Sequence, residues 1–155
     1  MVPKAHERGF SAIELLVVSA IIVVIAAIAI PNAVSAYNGY QLQIAASALE
    51  QQLNRCRQEA VRANQPTKIK VTANNTRIDL NHNDVFDATD EDPVTISQSA
   101  SVTSFTPNTG IVTYTSRGEM PVGGNAAFTV TYSGRSRVVS VDPRGAVFIG
   151  PETAG

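Results

Sequence analysis

The order of apolar and polar residues divides the chain into stretches with different periods. Residues 10–30 are apolar almost without interruption, broken only by Ser11, Glu14 and Ser19. As an α-helix this run is roughly 32 Å long, which matches a bilayer hydrocarbon core of about 30 Å. It reads as a membrane-spanning helix. Pro31, which lacks an amide hydrogen, is expected to kink or loosen that helix at its end. Between residues 33 and 49 there is no charged residue, and Ala33, Ser35, Ala36 and Gly39 are small enough for close helix approach. Further on, Leu42, Ala45, Ala46, Leu49, Leu53, Cys56 and Ala60 recur at three- and four-residue intervals and form one apolar stripe. Gln51, Arg55, Gln58, Glu59 and Arg62 cover the other faces. The pattern predicts one helix reaching about Ala63, bare in its first half and packed on a domain in its second. Asn64-Gln65-Pro66 ends it, because the residue before a proline disfavours helix.

Beyond Pro66 the period changes to two. Residues 67–72 alternate polar and apolar, and Asn74-Asn75 supplies a turn before residues 77–80. Short strands rich in Val, Thr and Tyr are predicted at 94–96, 102–105 and 111–114. The clearest pair is 127–132 with 137–141, joined through Ser133-Gly134. Asp142-Pro143-Arg144-Gly145 then turns the chain into 146–149. The expected class is α+β, a long amino-terminal helix packed on an antiparallel β-sheet domain.

Length and charge narrow the function. At 155 residues the chain holds one modest domain beyond the helix, and a net charge of −1 provides no basic field for nucleic acid. Lys4 and Arg8 flank the apolar run on its amino side, and no Lys or Arg follows until Arg55. By the positive-inside bias the amino terminus stays cytoplasmic and the remainder is exported. The one cysteine, Cys56, excludes an internal disulfide and falls on the apolar stripe as a buried thiol.

The start of the apolar run carries more than an anchor requires. It is longer than the apolar part of an ordinary secretory signal, no small-x-small cleavage site follows it, and Glu14 places a carboxylate inside it. Gly9-Phe10-Ser11-Ala12-Ile13-Glu14 closely resembles the processing site of the type IV pilin-like superfamily, and Pro31-Asn32 is similar to that family's proline at the same depth. The resemblance implies a leader of residues 1–9, cleaved after Gly9 by a membrane peptidase that then N-methylates Phe10. It implies that Glu14 pairs with the terminal amine of a neighbouring subunit. It also implies an anchor over 10–32, an exported helix half over 33–65 and a globular pilin domain over 66–155. Residues 56–64, the Phe128-Thr-Val-Thr-Tyr pattern, residues 138–141 and Gly145 resemble the GspH/FimT branch of minor pilins.

Two further constellations stand apart from that motif. Asp79, Asn81, Asn83, Asp87 and Asp90 have spacing similar to a calcium loop. Asp84 stands where such a loop has its turn-making glycine, and Asp90 is shorter than the usual bidentate glutamate, so a solvated turn is the expected reading. Gly134-Arg135-Ser136-Arg137 resembles a Gly-Arg-x-Arg motif with which some FimT-like pilins hold DNA. In those proteins the motif lies in the carboxy-terminal segment, where strand order here puts Gly145-Ala146-Val147-Phe148. Arg135, Arg137 and Arg144 are candidates to cluster at one end of the sheet, sufficient for weak phosphate contacts, with a solvated hairpin as the expected reading. No nucleophile–base pair, metal-ligand cluster or phosphate loop stands out, so neither catalysis nor a cofactor is expected.

These readings converge on a minor pilin or pseudopilin of the bacterial inner membrane. It is expected to cross the membrane once, with its carboxy-terminal domain in the periplasm, and to help initiate a filament of type II secretion or type IV pilus machinery. Its expected partners are other pilins through the helix, the prepilin peptidase/methyltransferase and the inner-membrane assembly platform. The alternatives are a DNA-binding minor pilin for DNA uptake, and a major filament subunit.

Overall fold

The computed structural model describes residues 11–87, 90 and 92–154. One α-helix, α1 (Ala12–Ala63), contains Pro31 within it. The chain divides into two compact units, Met1–Tyr37 and Asn38–Gly155.

The described part of the first unit is helix alone. Ser11 stands at its start, and its carbonyl accepts from the N–H groups of Glu14 and Leu15 at 3.1 and 3.2 Å. The large apolar side chains of this unit are exposed, Leu15 and Ile28 each to 66%. Among the described residues, α1 is the one helix long and apolar enough to cross a membrane. Its polar side chains are held locally. Ser19 Oγ donates to the Leu16 carbonyl at 2.8 Å, and Asn32 Nδ2 donates to the Ile28 carbonyl at 3.1 Å.

In the second unit the helix buries the stripe predicted from its period. Leu42, Ala45, Ala46, Leu49, Leu53, Cys56 and Ala60 are all fully buried. The helix ends in a Schellman motif, with Gln65 N–H donating to the Ala60 carbonyl and Asn64 N–H to the Val61 carbonyl. Asn64 takes the left-handed conformation at φ 51° that this cap requires. Asn tolerates it better than most residues do.

The strands form the expected antiparallel β domain as two sheets, a division the sequence pattern does not specify. The first has the order β3-β2-β1-β5, from β1 (Thr67–Val71), β2 (Asn75–Ile78), β3 (Val94–Thr95) and β5 (Ile111–Tyr114). The second has the order β4-β6-β7-β8, from β4 (Ser101–Thr106), β6 (Ala126–Tyr132), β7 (Arg135–Val141) and β8 (Val147–Ile149). Strand β9 (Thr153–Ala154), absent from the sequence reading, pairs with the start of β7. The β6–β7 hairpin turns through Ser133 and Gly134, at φ 49° and 75°. Two positive φ values in a two-residue loop suit the twist of the strands it joins. The sheets are tied together by Val102 N–H, which donates to the Ala73 carbonyl of the β1–β2 turn at 2.7 Å.

Both sheets and the helix stripe share one core. Ile69, Ile78, Val112 and Tyr114 come from the first sheet, and Phe128, Val130, Val139 and Val141 from the second. Phe105 packs edge-to-face on Phe128, with ring centroids 6.2 Å apart. All the buried members of this core lie between Leu42 and Val141. A fragment beginning at Gln41 should therefore fold, stay monomeric and keep one helix with its β-structure, as circular dichroism and size-exclusion chromatography would read. In that fragment Leu53→Asp buries a charge without a partner and should destabilise the fold by about 4 kcal/mol. An unchanged melting temperature would show that the stripe does not face this core.

Candidate functional site

Gly9 and Phe10, the residues expected at the processing site, lie outside the described residues. Glu14 lies in the first turn of α1 and is exposed. A carboxylate there faces the positive end of the helix dipole. It is the one acidic or basic residue between Arg8 and Glu50. Large exposed apolar side chains surround it, and among the described residues of this unit Glu14 is the one charged side chain.

The three candidate arginines do not form one cluster, which corrects the expectation drawn from sequence. Along β7 the side chains alternate, with Val139 and Val141 buried and Arg135 and Arg137 on that same side by the period of two. Both guanidinium groups pair with Glu152, Arg137 at 3.7 Å. Arg137 also donates to the Gly150 carbonyl at 3.3 Å. A Cβ added to Gly39 of the helix would lie 3.3 Å from Glu152 Oε2. The ion pairs are thus tucked between the helix, β7 and the last strand. Arg144 lies beyond the other end of β7, which is about 20 Å long.

Arg144 belongs instead to a junction that the sequence reading missed. Arg57 of the helix donates from Nε to the Gly118 carbonyl at 2.9 Å and from Nη2 to the Arg144 carbonyl at 3.4 Å. Gly118 and Gly145 have φ values of 75° and 78°, and a Cβ at Gly145 would fall 2.0 Å from the Gly118 carbonyl oxygen. Only glycine fits at residue 145. The two Arg-Gly pairs at 117–118 and 144–145 were the available signal, since each closes a turn between apolar runs.

The acidic loop is organised by its own backbone. Asp79 is buried, and its carboxylate accepts from the N–H groups of Asn83 and Asp84 at 3.3 and 2.9 Å. Asn81 Oδ1 accepts from Asn83 N–H, and Asn83 Oδ1 from Val85 N–H. Asp90 accepts from Leu80 and Asp87 N–H. Asp84 takes the glycine-like conformation, φ 67°, and its carboxylate pairs with Lys68 at 2.7 Å. Within the described part of the loop these oxygens serve as backbone caps. Among the described residues no three His, Cys, Asp or Glu side chains come together as metal ligands. Cys56 is buried, and desolvation pushes its thiol well above the ordinary range, so it is inert as a nucleophile or ligand. Calcium is therefore expected to leave the melting temperature unchanged relative to chelator. A calcium-dependent rise would show that the loop holds the ion.

Comparisons with known proteins agree with this architecture. Two crystal structures of the type IV minor pilin FimU from Pseudomonas aeruginosa are similar to the chain, each at 19% identity. One covers 72% of this chain and 90% of its own at a TM-score of 0.62. The other covers 71% of this chain and 93% of its own at a TM-score of 0.59. At that identity the likeness establishes the type IV pilin fold. A comparison with curated proteins finds no match. The family model described as type II transport protein GspH matches residues 45–145, from the buried helix stripe to the glycine of the Arg57 junction. The chain belongs to the GspH family of pilin-like proteins.

Proposed function

We propose that the chain is a minor subunit, or pseudopilin, of a periplasmic filament in type II secretion or type IV pilus machinery, and that it helps initiate that filament. Residues 1–9 are a leader removed after Gly9, and the exposed Phe10 amine is N-methylated. Residues 10–32 then anchor the protein in the inner membrane, residues 33–65 continue the helix into the periplasm, and residues 66–155 form the exported domain. The observation that carries this reading is Glu14, a lone carboxylate in an apolar helix surface. Brought among other apolar helices it is costly unless paired, and the terminal amine of a neighbouring subunit is the cation at the same depth. The partners are other pilins, the prepilin peptidase/methyltransferase and the assembly platform. The role is structural, with no catalytic step assigned to this chain.

Processing is tested at the scissile bond. Gly9→Val should block leader removal, so that mass spectrometry finds the precursor, whereas the wild-type chain should begin at N-methylated Phe10. An intact leader on assembled protein would remove the basis of this reading.

Assembly is tested at the carboxylate. Glu14→Leu should insert into the membrane at least as well as the wild-type chain yet enter filaments poorly alongside wild-type partners. Normal incorporation would exclude a pairing role for Glu14.

A further inference from the structure

The first unit also carries information about its depth in a bilayer. Hydrocarbon accepts a polar side chain only where its hydrogen bonds are made within the protein. Ser19 meets that condition by donating to the Leu16 carbonyl, and Asn32 meets it in part, one amide N–H donating to the Ile28 carbonyl. That bond lowers the cost of placing Asn32 near the edge of the hydrocarbon, so the span can extend past residue 30, where the apolar run read from sequence stops. Glu14 differs, since an ionised carboxylate is strongly excluded from hydrocarbon. No further charge follows until Glu50.

We propose that, before assembly, residues 15–34 occupy the hydrocarbon, with Glu14 at the cytoplasmic headgroups and Tyr37 anchored at the periplasmic ones. The ligand of Tyr37 is the phospholipid interface. Twenty helical residues span about 30 Å, the thickness of the hydrocarbon layer. Tyr37 then lies about 4.5 Å beyond the last of them, inside a headgroup layer of about 5–8 Å. Its side chain is 57% exposed, and helical side chains lean towards the amino terminus, here back towards the lipid. A ring at the acyl boundary with its hydroxyl among the headgroups suits tyrosine's two ends. If residues 10–30 filled the hydrocarbon instead, Glu14 would be immersed and Tyr37 would stand about 10 Å outside it.

The proposal rests on the membrane-anchor reading and adds a consequence to it. Glu14 waits in a polar layer before assembly. Glu14 enters apolar surroundings only when a neighbouring amine accompanies it. Anchoring and assembly thus place the same helix at two different depths.

The chain contains no Trp, so single substitutions act as reporters in the full-length protein. Ile22→Trp, Tyr37→Trp and Gln51→Trp would each be reconstituted in phosphatidylcholine vesicles whose lipids carry bromine high on the acyl chain. Ile22→Trp and Tyr37→Trp should lose about half their fluorescence or more, and Gln51→Trp should be unaffected. Quenching at Ile22→Trp without quenching at Tyr37→Trp would overturn the shifted register and leave the anchor reading intact. Equal quenching at Gln51→Trp would also overturn it, because the second unit would then be touching lipid. No quenching at Ile22→Trp would overturn the anchor reading itself.

Discussion

The burial of one helical stripe beneath two sheets is the constraint from which the second unit follows. Leu42, Leu49 and Leu53 are fully closed from solvent, and burying each stabilises the fold by about 2 kcal/mol. Ala45, Ala46, Cys56 and Ala60 fill the intervening positions. Their small size lets the strands come close to the helix axis. The sheets then present inward the residues that the period of two assigns, such as Ile69 and Val112 opposite each other on β1 and β5. Nothing in the stripe is polar, so the interface carries no directional information of its own. Direction comes from its ends, where Arg57 holds two turns and Glu152 holds two arginines.

Those ends explain which parts of the fold were legible. The helix, its stop at Asn64 and the strands from β1 to β8 follow from local periodicity and turn chemistry, which adjacent residues encode. The division into two sheets does not, because it depends on which strands pair across long stretches of chain. Strand β5 crosses back to pair with β1, while β4 pairs with β6. Strand β9 is two residues long and is fixed by side chains, among them Thr153 hydrogen-bonded to Ser136. A segment so short has no period to read.

The arginine candidates show a different kind of miss. Sequence proximity left Arg135, Arg137 and Arg144 as candidates to cluster at one end of the sheet. The parity of β7 already argued otherwise, since residues 135 and 137 share the register of the apolar Val139 and Val141. Two cations on an inward face require an acid, and Glu152 supplies it from the last segment of the chain. The spacing of the acidic loop was legible as a calcium-like pattern for a related reason. Asx side chains two residues apart suit a cation, but they also suit successive backbone N–H groups, and here they cap the loop. Spacing alone does not separate these two uses.

The first unit poses the opposite problem, since its surface is so uniform that few residues can fix its position. An apolar helix can shift along a bilayer normal by a residue or two with little change in its buried area. Its depth is therefore set by the polar groups at its boundaries and by whether polar groups within it are internally bonded. Ser19 is so bonded and imposes no boundary, and Asn32 is bonded in part and imposes a weaker one than a charge would. In the proposed register Glu14 imposes one at the amino end and Tyr37 the other. Under the proposed function and the proposed depth, a carboxylate that sets the depth of the free subunit and then pairs with a neighbour's amine links insertion to assembly through a single residue. On that proposal, the dual demand accounts for a charge at residue 14 in a stretch where a membrane would otherwise favour an apolar side chain.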